Sequence, residues 1–370
     1  MNSKKAKRNQ IEISVVGSGI AGIMTAFHLK KKGYKVNLID SNVNKQINTV
    51  SPNNGTQAAL GVLMGNIYKR SKGRAFLLRN RSMKLWRELL LEINQSEFEI
   101  KLEQPLIKLA SSDKEYQSMI QISKEKKEYG VKLLDKNSLE FWSLIFEKKI
   151  IGGLISLEDG RLDTLKFLTI LIKLLSKINV NKIESNVIKI KKSVDPNNKK
   201  WNLYLENNEC INQDYIVICS ALNTQKLLFP LGHKIFLEPI LGQVLELELE
   251  NKTLKWNKWP AILNYKHINF IYQNPSHLTM GATIENNTKP NPLLKKEMLE
   301  MKNSAPSWIK NAKIKNEWHG IRAKPINEPA PLLKCLEEGL LINTGHYRNG
   351  ILLAPYCAEW VGLRIDELES

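Results

Sequence analysis

A glycine-rich turn near the N-terminus constrains the fold more than any other feature of the sequence. The segment Val15-Val16-Gly17-Ser18-Gly19-Ile20-Ala21-Gly22 fits the pattern G-x-G-x-x-G and stands between an apolar strand and a helix predicted over residues 23–32. Gly17 permits the tight turn, Gly19 lets the backbone approach a pyrophosphate, and Gly22 lets helix and strand pack closely. The amino end of the helix carries about half a positive charge, which favours phosphates. The sequence therefore predicts a Rossmann-like dinucleotide-binding unit.

The second predicted strand ends on an acidic residue. Residues 34–39 lead directly to Asp40. A carboxylate at this place accepts hydrogen bonds from both ribose hydroxyls and repels a 2′-phosphate, so NADP is disfavoured. The combination of strand, turn, helix, second strand and acid argues against a glycine-rich turn without a ligand. It does not separate NAD from FAD.

The charge balance is strongly basic. The chain has 370 residues and a net charge of +18, and such a surface attracts polyanions. The lysines are spread along the whole chain, which also overuses Asn and Ile, so a compositional bias and a solvated basic surface explain them better than a nucleic-acid partner does. At about 150 residues per domain, the length predicts two domains or one two-lobed unit.

Cysteine spacing and hydropathy exclude several classes of protein. The four cysteines form no C-x-x-C pair, and no His, Cys, Asp and Glu cluster has the spacing of a metal site. The longest apolar stretch, residues 165–178, is interrupted by lysines and is too short to cross a bilayer. The basic N-terminus leads into a strand too short for a signal core. We expect a cytoplasmic protein without a membrane span or a metal, and the sequence leaves a homo-oligomer open.

Hydrophobic periodicity predicts alternating helices and strands. Helices are expected near 71–92, 113–130, 165–178, 290–303 and from 351, and strands near 98–110, 182–192, 201–206, 214–219, 242–250, 267–273, 277–283, 314–323 and 340–343. Residues 242–250 alternate apolar and polar side chains, as in a half-buried sheet. The order indicates an α/β nucleotide-binding domain built from separate segments, with a mostly antiparallel sheet inserted between them.

A second glycine-bracketed loop lies near the C-terminus. The segment Thr344-Gly345-His346-Tyr347-Arg348-Asn349-Gly350-Ile351-Leu352-Leu353-Ala354-Pro355 stands between a predicted strand and a predicted helix. Its backbone N–H groups and the helix amino end favour negative charge. Because a reduced flavin is anionic at its pyrimidine edge, the loop is a suitable seat for that ring.

These segments together resemble the D-amino acid oxidase-like family of FAD-dependent oxidoreductases, most closely its glycine oxidases of thiamine biosynthesis. Between the two glycine motifs stand further landmarks of the family, in order: residues 55–63, Asp159-Gly160-Arg161-Leu162-Asp163, Gly242-Gln243, Gly281-Ala282-Thr283 and Trp318-His319-Gly320-Ile321-Arg322. The resemblance implies an α/β fold with a discontinuous Rossmann-like FAD-binding domain and an inserted, mostly antiparallel α+β substrate domain. The expected FAD-binding segments are 11–95, 161–235 and 326–370, and the expected substrate-domain segments are 96–160 and 236–325.

The resemblance also implies the contacts to FAD. Gly17, Ser18, Gly19, Ile20, Ala21 and Gly22 would hold the pyrophosphate, Asp40 and Ser41 the ribose, and Val187 the adenine through its backbone. Gly55, Thr56, Leu60, Gly61 and Val62 would line the flavin, and His346, Tyr347, Arg348, Asn349, Gly350, Ile351 and Leu352 would wrap its pyrimidine edge. We expect the FAD to be bound non-covalently, since no cysteine stands where the sarcosine oxidases attach their flavin.

Two arginines match the family's contacts to the substrate carboxylate. They are Arg322 and Arg348, and the planar fork of a guanidinium suits a carboxylate. Phe270 stands in the expected register of a substrate-facing tyrosine, and Tyr272 shares its face by the period of a strand. Cys219-Ser220-Ala221 replaces a turn that usually ends in glycine, and Leu241 replaces a basic residue. No side chain is assigned as a catalytic acid or base.

The sequence thus predicts oxidation of the C–N bond of a small amino acid or amine. An imine would form by hydride transfer to flavin N5, with O₂ as the acceptor, although an amino acid dehydrogenase with another electron acceptor would carry the same motifs. An FAD-dependent tRNA-modifying oxidase would suit the positive charge, but no partner domain and no basic stripe with interleaved aromatics is present. A flavin-binding subunit without catalysis is a third alternative, which both arginines disfavour.

Overall fold

The computed structural model describes residues 8–45, 49–51, 53–195, 199–250 and 258–370. Its strands are β1 (Glu12–Val16), β2 (Lys35–Ile39), β3 (Val62–Leu63), β4 (Leu106–Leu109), β5 (Val131–Leu133), β6 (Gly153–Ser156), β7 (Gly160–Arg161), β8 (Asn181–Ile183), β9 (Val187–Lys192), β10 (Trp201–Leu205), β11 (Cys210–Gln213), β12 (Tyr215–Ile218), β13 (Leu237–Glu248), β14 (Ile262–Tyr265), β15 (Ile268–Asn274), β16 (His277–Gly281), β17 (Lys313–Pro325), β18 (Leu332–Glu337) and β19 (Leu340–Thr344). Its helices are α1 (Ile20–Lys31), α2 (Arg74–Asn94), α3 (Asp113–Glu125), α4 (Lys136–Ile145), α5 (Thr164–Lys177), α6 (Thr224–Leu228), α7 (Pro292–Leu299), α8 (Ser307–Lys310) and α9 (Gly350–Leu368).

The chain forms two compact units, each built from separate segments. Unit 1 comprises Met1–Thr49, Leu165–Ile240 and Arg322–Ser370, and unit 2 comprises Val50–Thr164 and Leu241–Ile321. The interrupted order agrees with the expected inserted domain. The largest difference from the expected boundaries is that residues 50–95 belong to unit 2 and not to the segment that carries the glycine-rich turn, and the other boundaries differ by only a few residues. The reason is a long-range strand pairing: β3 pairs with β7, and both strands lie in unit 2.

Unit 1 is centred on a six-stranded sheet in the order β18-β19-β12-β1-β2-β8. Strands β1, β2, β8, β12 and β19 run parallel, and β18 is antiparallel to β19. Parallel strands need both faces covered, and α1, whose residues from Ile20 to Phe27 are all buried, covers one of them. A separate antiparallel sheet in the order β11-β10-β9 completes the unit. Together these sheets form the expected Rossmann-like domain.

Unit 2 is organised around an eight-stranded sheet in the order β17-β13-β16-β15-β14-β4-β6-β5. All its assigned strand pairs are antiparallel except β14 with β4. One face, which we name the aromatic face, packs Phe270 and Met280 against Trp142 of α4 and Trp308 of α8. The opposite face, which we name the β3 face, packs Ile271 with Met119 of α3 and with the residues around β3.

The described residues include no helix that is long and apolar enough to cross a membrane. Within the same ranges, no group of three or more His, Cys, Asp or Glu side chains is placed to hold a metal ion.

Candidate functional site

The glycine-rich turn forms an open backbone cradle at the start of α1. Gly17 has a φ of 107°, and a Cβ at Gly22 would lie 1.7 Å from the carbonyl oxygen of Gly17. The N–H of Gly17 donates to the carbonyl of Ile39 over 2.9 Å, which holds the turn between β1 and α1 against the end of β2. Both positions therefore require glycine. The amino end of α1 comes close to the end of β1 with no side chain between them, which is the arrangement that binds a pyrophosphate.

Asp40, which follows β2, forms a hydrogen bond with the backbone of the cradle. One carboxylate oxygen accepts the N–H of Ser18 and the other accepts the N–H of Asn42, each over 2.8 Å. Each carboxylate oxygen has a further lone pair, so Asp40 can still accept hydrogen bonds from ribose hydroxyls. The N–H of Asp40 donates to Ile183 of β8 over 3.2 Å, and Val187 follows shortly after as the first residue of β9. The proposed ribose and adenine contacts thus come from neighbouring segments.

The loop between β19 and α9 begins and ends beside the cradle. Asn343 of β19 donates from its amide to the hydroxyl of Thr25 in α1 over 2.9 Å. A Cβ on Gly350, where α9 begins, would lie 3.8 Å from Cγ2 of Ile20, where α1 begins. The amino ends of the two helices therefore converge within unit 1. Two convergent positive dipole ends favour an anion more than one does.

The backbone of this loop is tightly constrained. Gly345 has a φ of 65°, and a Cβ there would lie 2.9 Å from Cγ of Pro325. Tyr347 also has a positive φ, of 53°, which is uncommon outside glycine. His346 is buried, its Nε2 atom has no hydrogen-bond partner among the described residues, and burial lowers the pKa of its imidazole to about 4. His346 is therefore neutral at physiological pH and leaves one polar nitrogen for a ligand.

Of the two arginines of the predicted substrate site, Arg348 lies in this loop and Arg322 lies in β17. Arg348 is exposed and makes no hydrogen bond or ion pair with any residue that the structure describes. Arg322 lies half-buried in β17, two residues before Lys324. The ammonium of Lys324 lies 5.8 Å from the ring centroid of Tyr347 and pairs with Glu238 over 2.5 Å. By the period of a strand, Arg322 lies on the same face of β17 as Lys324.

The turn after β12 carries an alanine in a conformation that favours glycine. Ala221 has a φ of 48° and opens a short 3₁₀ turn that ends at Asn223. The left-handed region costs a residue with a Cβ about 1 kcal/mol or more. The alanine at position 221, where this turn usually has glycine, therefore keeps the turn but adds local backbone strain.

Replacing Ala221 by glycine is expected to stabilise the protein slightly. Relief of the left-handed strain, about 1 kcal/mol, exceeds the greater flexibility that glycine gives the unfolded chain, so we expect a net gain of about 0.5 kcal/mol. Urea unfolding measures the change. Ala358→Gly, inside α9 and buried, is the matched control and should lose about 1 kcal/mol. A loss of stability in Ala221→Gly similar to that of the control would contradict the expectation.

The segment expected to line the flavin is held by close backbone contacts within unit 2. Gly61 has a φ of 71°, and a Cβ there would lie 1.8 Å from the carbonyl oxygen of Leu162. A Cβ on Gly55 would lie 2.5 Å from the carbonyl oxygen of Ile321. Trp318 donates from Nε1 to the carbonyl of Ala58 over 3.2 Å. The family landmarks around residues 55–63, 159–163 and 318–322 thus meet one another in the fold.

Three charged side chains hold the backbone that follows β3. The carboxylate of Asp159 accepts the N–H groups of Gly65, Asn66 and Ile67 over 2.8–3.0 Å. The Lys126 ammonium donates to the carbonyls of Tyr68 and Arg70, and Arg79 donates to the carbonyl of Met64 over 2.7 Å. We name Asp159, Lys126 and Arg79 the loop clamp. Burial raises the pKa of the Asp159 carboxyl, and the backbone N–H groups oppose that rise.

Replacing Asp159 by asparagine is expected to destabilise the protein by about 3 kcal/mol. The amide would turn a donor toward backbone N–H groups, and a buried donor without an acceptor costs about 1–3 kcal/mol in addition to the lost charged hydrogen bonds. Urea unfolding at neutral pH measures the loss. Glu158→Gln breaks a half-exposed pair with Arg87 and should cost less than about 1 kcal/mol. Equal costs for both variants would contradict the role of the clamp.

The substrate-facing register predicted for β15 is wrong. Phe270 is fully buried in the aromatic face, with its ring centroid 5.8 Å from that of Phe146 and 6.5 Å from that of Trp308. Tyr272 packs on the same cluster. A shift of one residue moves every side chain of a strand to the other face, so Asn269 and Ile271 face β3 instead. The pairing of Asn269 with Gly281 of β16 fixes this register, and alternation along β15 does not reveal it.

The fold and the cradle define a dinucleotide-binding protein, and comparison with known proteins specifies the family. The model of the DAO family, described as FAD dependent oxidoreductase, matches residues 12–363, and the chain belongs to this family. The FAD, oxidoreductase and fold predictions are therefore confirmed.

Individual relatives agree with this assignment. The glycine oxidase of Pseudomonas putida is 27% identical over 150 residues, a match that covers 38% of this chain and 39% of that protein. Among solved structures, glycine oxidase from Bacillus cereus aligns with a TM-score of 0.78 at 20% identity, covering 96% of this chain and 95% of its own. Iminodiacetate oxidase from Chelativorans sp. BNC1 aligns with a TM-score of 0.77 at 18% identity, covering 96% and 95%. At 18–20% identity, these two structural matches show that this chain has the same fold as both oxidases.

Proposed function

We propose that the protein oxidises the C–N bond of a small amino acid or related amine to an imine, with non-covalent FAD as the cofactor and O₂ as the electron acceptor. Arg348 carries the proposal. Its guanidinium is exposed, has no partner among the described residues, and stands in a loop whose backbone is fixed by packing at Gly345. A guanidinium held in this way suits the carboxylate of a substrate.

The residues present fit a bound FAD. The tight turn and the close packing of α1 on β1 exist only because Gly17 and Gly22 lack a Cβ, and the amino ends of α1 and α9 converge beside this turn. The buried Nε2 of His346 has no partner among the described residues, so it can meet a polar atom of the cofactor. Cys219 and Cys357 are buried, which supports attachment without a covalent bond.

The chain's own residues would bind and orient the substrate. FAD, when bound, supplies the acceptor for the hydride that leaves the substrate. Arg348 and Arg322 would hold the carboxylate and so direct the adjacent C–H bond, and such positioning is the main contribution of a protein to cofactor chemistry. His346, neutral because burial lowers its pKa to about 4, adds no positive charge to those of the two arginines. The names of the relatives, glycine oxidase and iminodiacetate oxidase, support an amino group as the point of oxidation.

An anaerobic substrate panel tests this proposal. Purified protein is mixed with glycine, sarcosine, iminodiacetate, D-alanine and proline without oxygen, and the flavin spectrum is recorded. We expect at least one amine to bleach the flavin, and air to restore the colour with formation of hydrogen peroxide. No bleaching by any amine would refute the proposed activity. Bleaching that persists in air would retain the oxidation step and replace O₂ by another acceptor.

The mode of cofactor attachment is tested separately. Acid precipitation should leave the flavin in the supernatant, because no covalent bond holds it. A yellow precipitate would contradict the non-covalent assignment. In that case Cys357→Ser and Cys219→Ser would show whether either buried thiol carries the flavin.

A further inference from the structure

One segment of unit 2 concentrates positive charge that the proposed reaction does not use. Between residues 64 and 87 the chain has no aspartate or glutamate. The basic residues of this stretch are Lys69, Arg70, Lys72, Arg74, Arg79, Arg81, Lys84 and Arg87. They belong to the loop after β3 and to the larger part of α2, and all of them lie in unit 2. Lysines occur along the whole chain, but here no carboxylate of the same segment balances them.

Two of these cations serve the fold. The guanidinium carbon of Arg79 lies 4.1 Å from the ring centroid of Tyr68, and Arg87 pairs with Glu158 over 2.7 Å. The others form the outside of the segment, which we name the basic surface: Lys69, Arg70, Lys72, Arg74, Arg81 and Lys84. All of them are exposed except Arg81, which is half-buried. The side chains of Lys69, Arg70 and Lys84 make no hydrogen bond or ion pair with any residue that the structure describes.

The basic surface stands at the end of α2 where positive charge is unfavourable. Gly73 precedes the helix without a side-chain cap, and the first turn has no acidic residue. The amino end of a helix is itself partly positive, so cations placed there reduce helix stability. The loop is held in place, because the Lys126 ammonium donates to the carbonyls of Tyr68 and Arg70. A charge arrangement that opposes local stability is typical of a binding surface, and its complement is an anion.

An exposed leucine lies within the basic surface. Leu77 is 65% exposed and stands three residues after Arg74 and four before Arg81, which places all three on one side of α2. A single exposed leucine is common on protein surfaces. Here cations surround it, and a lipid headgroup region binds both kinds of group: anionic headgroups attract the cations, and the boundary with the acyl chains takes up the leucine.

The same surface suits a nucleic acid less well. Single strands bind through exposed aromatic side chains on which their bases stack. In this segment Arg79 lies over the ring of Tyr68, the ring of Phe76 packs edge-on against Tyr129 with 6.2 Å between centroids, and Trp86 is fully buried. A phosphate backbone also offers the exposed leucine no apolar contact. A lipid surface is therefore the partner that uses both features of the segment.

We propose that the basic surface binds the surface of an anionic lipid bilayer, with Leu77 entering the headgroup region. The contact is peripheral. Each lysine or arginine close to such a bilayer strengthens binding by about fivefold, and salt weakens the attraction. This inference goes beyond the proposed oxidation, because it depends on neither the flavin nor the substrate.

Sedimentation of the full-length protein with vesicles tests the inference. One set of vesicles contains phosphatidylcholine alone, and the other contains equal parts of phosphatidylcholine and phosphatidylglycerol. We expect binding to the anionic vesicles to be about tenfold tighter or more. High salt should remove most of this preference.

A matched pair of charge variants locates the contact. Lys69→Gln/Lys72→Gln should weaken binding to anionic vesicles by about twentyfold. The melting temperature should not fall, because the charges removed oppose the dipole of α2. Lys148→Gln/Lys149→Gln removes two exposed lysines elsewhere in unit 2 and should keep vesicle affinity within about threefold of wild type.

A second matched pair tests the leucine. Leu77→Ser should weaken binding to anionic vesicles by about tenfold, since the apolar side chain no longer leaves water on binding. Leu144 of α4 is 79% exposed and lies outside the basic surface, so Leu144→Ser should stay within about threefold of wild type. Unchanged affinity in Leu77→Ser would overturn the insertion of this side chain.

The remaining outcomes decide the partner. Equal binding to neutral and anionic vesicles, no binding to either, or equal losses in the two lysine pairs overturns the inference. A double-stranded RNA that binds more tightly than the anionic vesicles, and more weakly to Lys69→Gln/Lys72→Gln, assigns the basic surface to a nucleic acid and overturns the lipid partner. If the double variant does not fold, Lys69→Gln alone, with an expected loss of about fivefold, is compared with Lys148→Gln and decides the question.

Discussion

Replacing Gly22 by alanine is expected to weaken flavin binding severely. The added Cβ would lie 1.7 Å from the carbonyl oxygen of Gly17, a distance that no rotamer change relieves, because both atoms belong to the backbone or are bound directly to it. Either α1 moves away from β1 or the turn at Gly17 opens. Each change removes the close approach of backbone N–H groups to a pyrophosphate. We expect FAD affinity to fall by about a hundredfold or more, since two or more charged hydrogen bonds are lost.

Stability should fall together with affinity. Overpacking in a well-packed region costs about 1–3 kcal/mol, and a contact between backbone atoms is at the upper end of that range. Apo-protein titrated with FAD gives the dissociation constant, and urea unfolding gives the stability. The neighbouring variant Ile23→Val, also buried in α1, should cost about 1 kcal/mol and keep normal FAD affinity. Gly22→Ala with FAD affinity equal to that of Ile23→Val would show that the cradle does not bind the cofactor.

Removal of the Arg348 guanidinium is the second large change. Arg348→Ala should weaken binding of a carboxylate ligand by about tenfold to a hundredfold, because a hydrogen bond to a charged group contributes about 1.5–3 kcal/mol. Flavin content should stay near normal, since the loop is positioned by its backbone at Gly345 and Gly350 and not by this exposed side chain. Arg348→Lys should recover only part of the affinity, since an ammonium cannot reproduce the planar fork.

Controls make the Arg348 result specific. Arg364→Ala removes another arginine of unit 1, one that pairs with Glu367 over 2.7 Å, and should leave ligand affinity unchanged. A simple amine without a carboxylate should reduce the flavin at similar rates in wild type and Arg348→Ala. The measurement is a titration of acetate or glycolate into flavin-loaded protein. Equal affinity in wild type and Arg348→Ala, with flavin retained, would assign Arg348 a structural role.

Local patterns in the sequence were sufficient for the nucleotide-binding unit. The glycines at 17 and 22, the apolar strands on either side and Asp40 each act on near neighbours in the chain, so their geometry follows from short-range sterics and hydrogen bonding. The helix expected near 71–92 is α2, that near 165–178 is α5, and that from 351 is α9. The helix α4 was not predicted, because its apolar residues, Trp142 and Ile145 among them, are buried by distant strands and give only a short periodic pattern.

Long-range pairing decided what the sequence left open. The first domain boundary lies at residue 50 because β3 pairs with β7. Asp159 belongs to the loop clamp because the fold brings it beside residues 65–67, which are far from it in the chain. The face of β15 depended on the pairing of Asn269 with Gly281, because apolar residues on both faces, Phe270 and Ile271, give alternation no preference between them. The sequence alone therefore determined the family, the cofactor class and the two glycine motifs. Only the tertiary structure determined which side chains share a surface, because that depends on contacts between residues far apart in the chain.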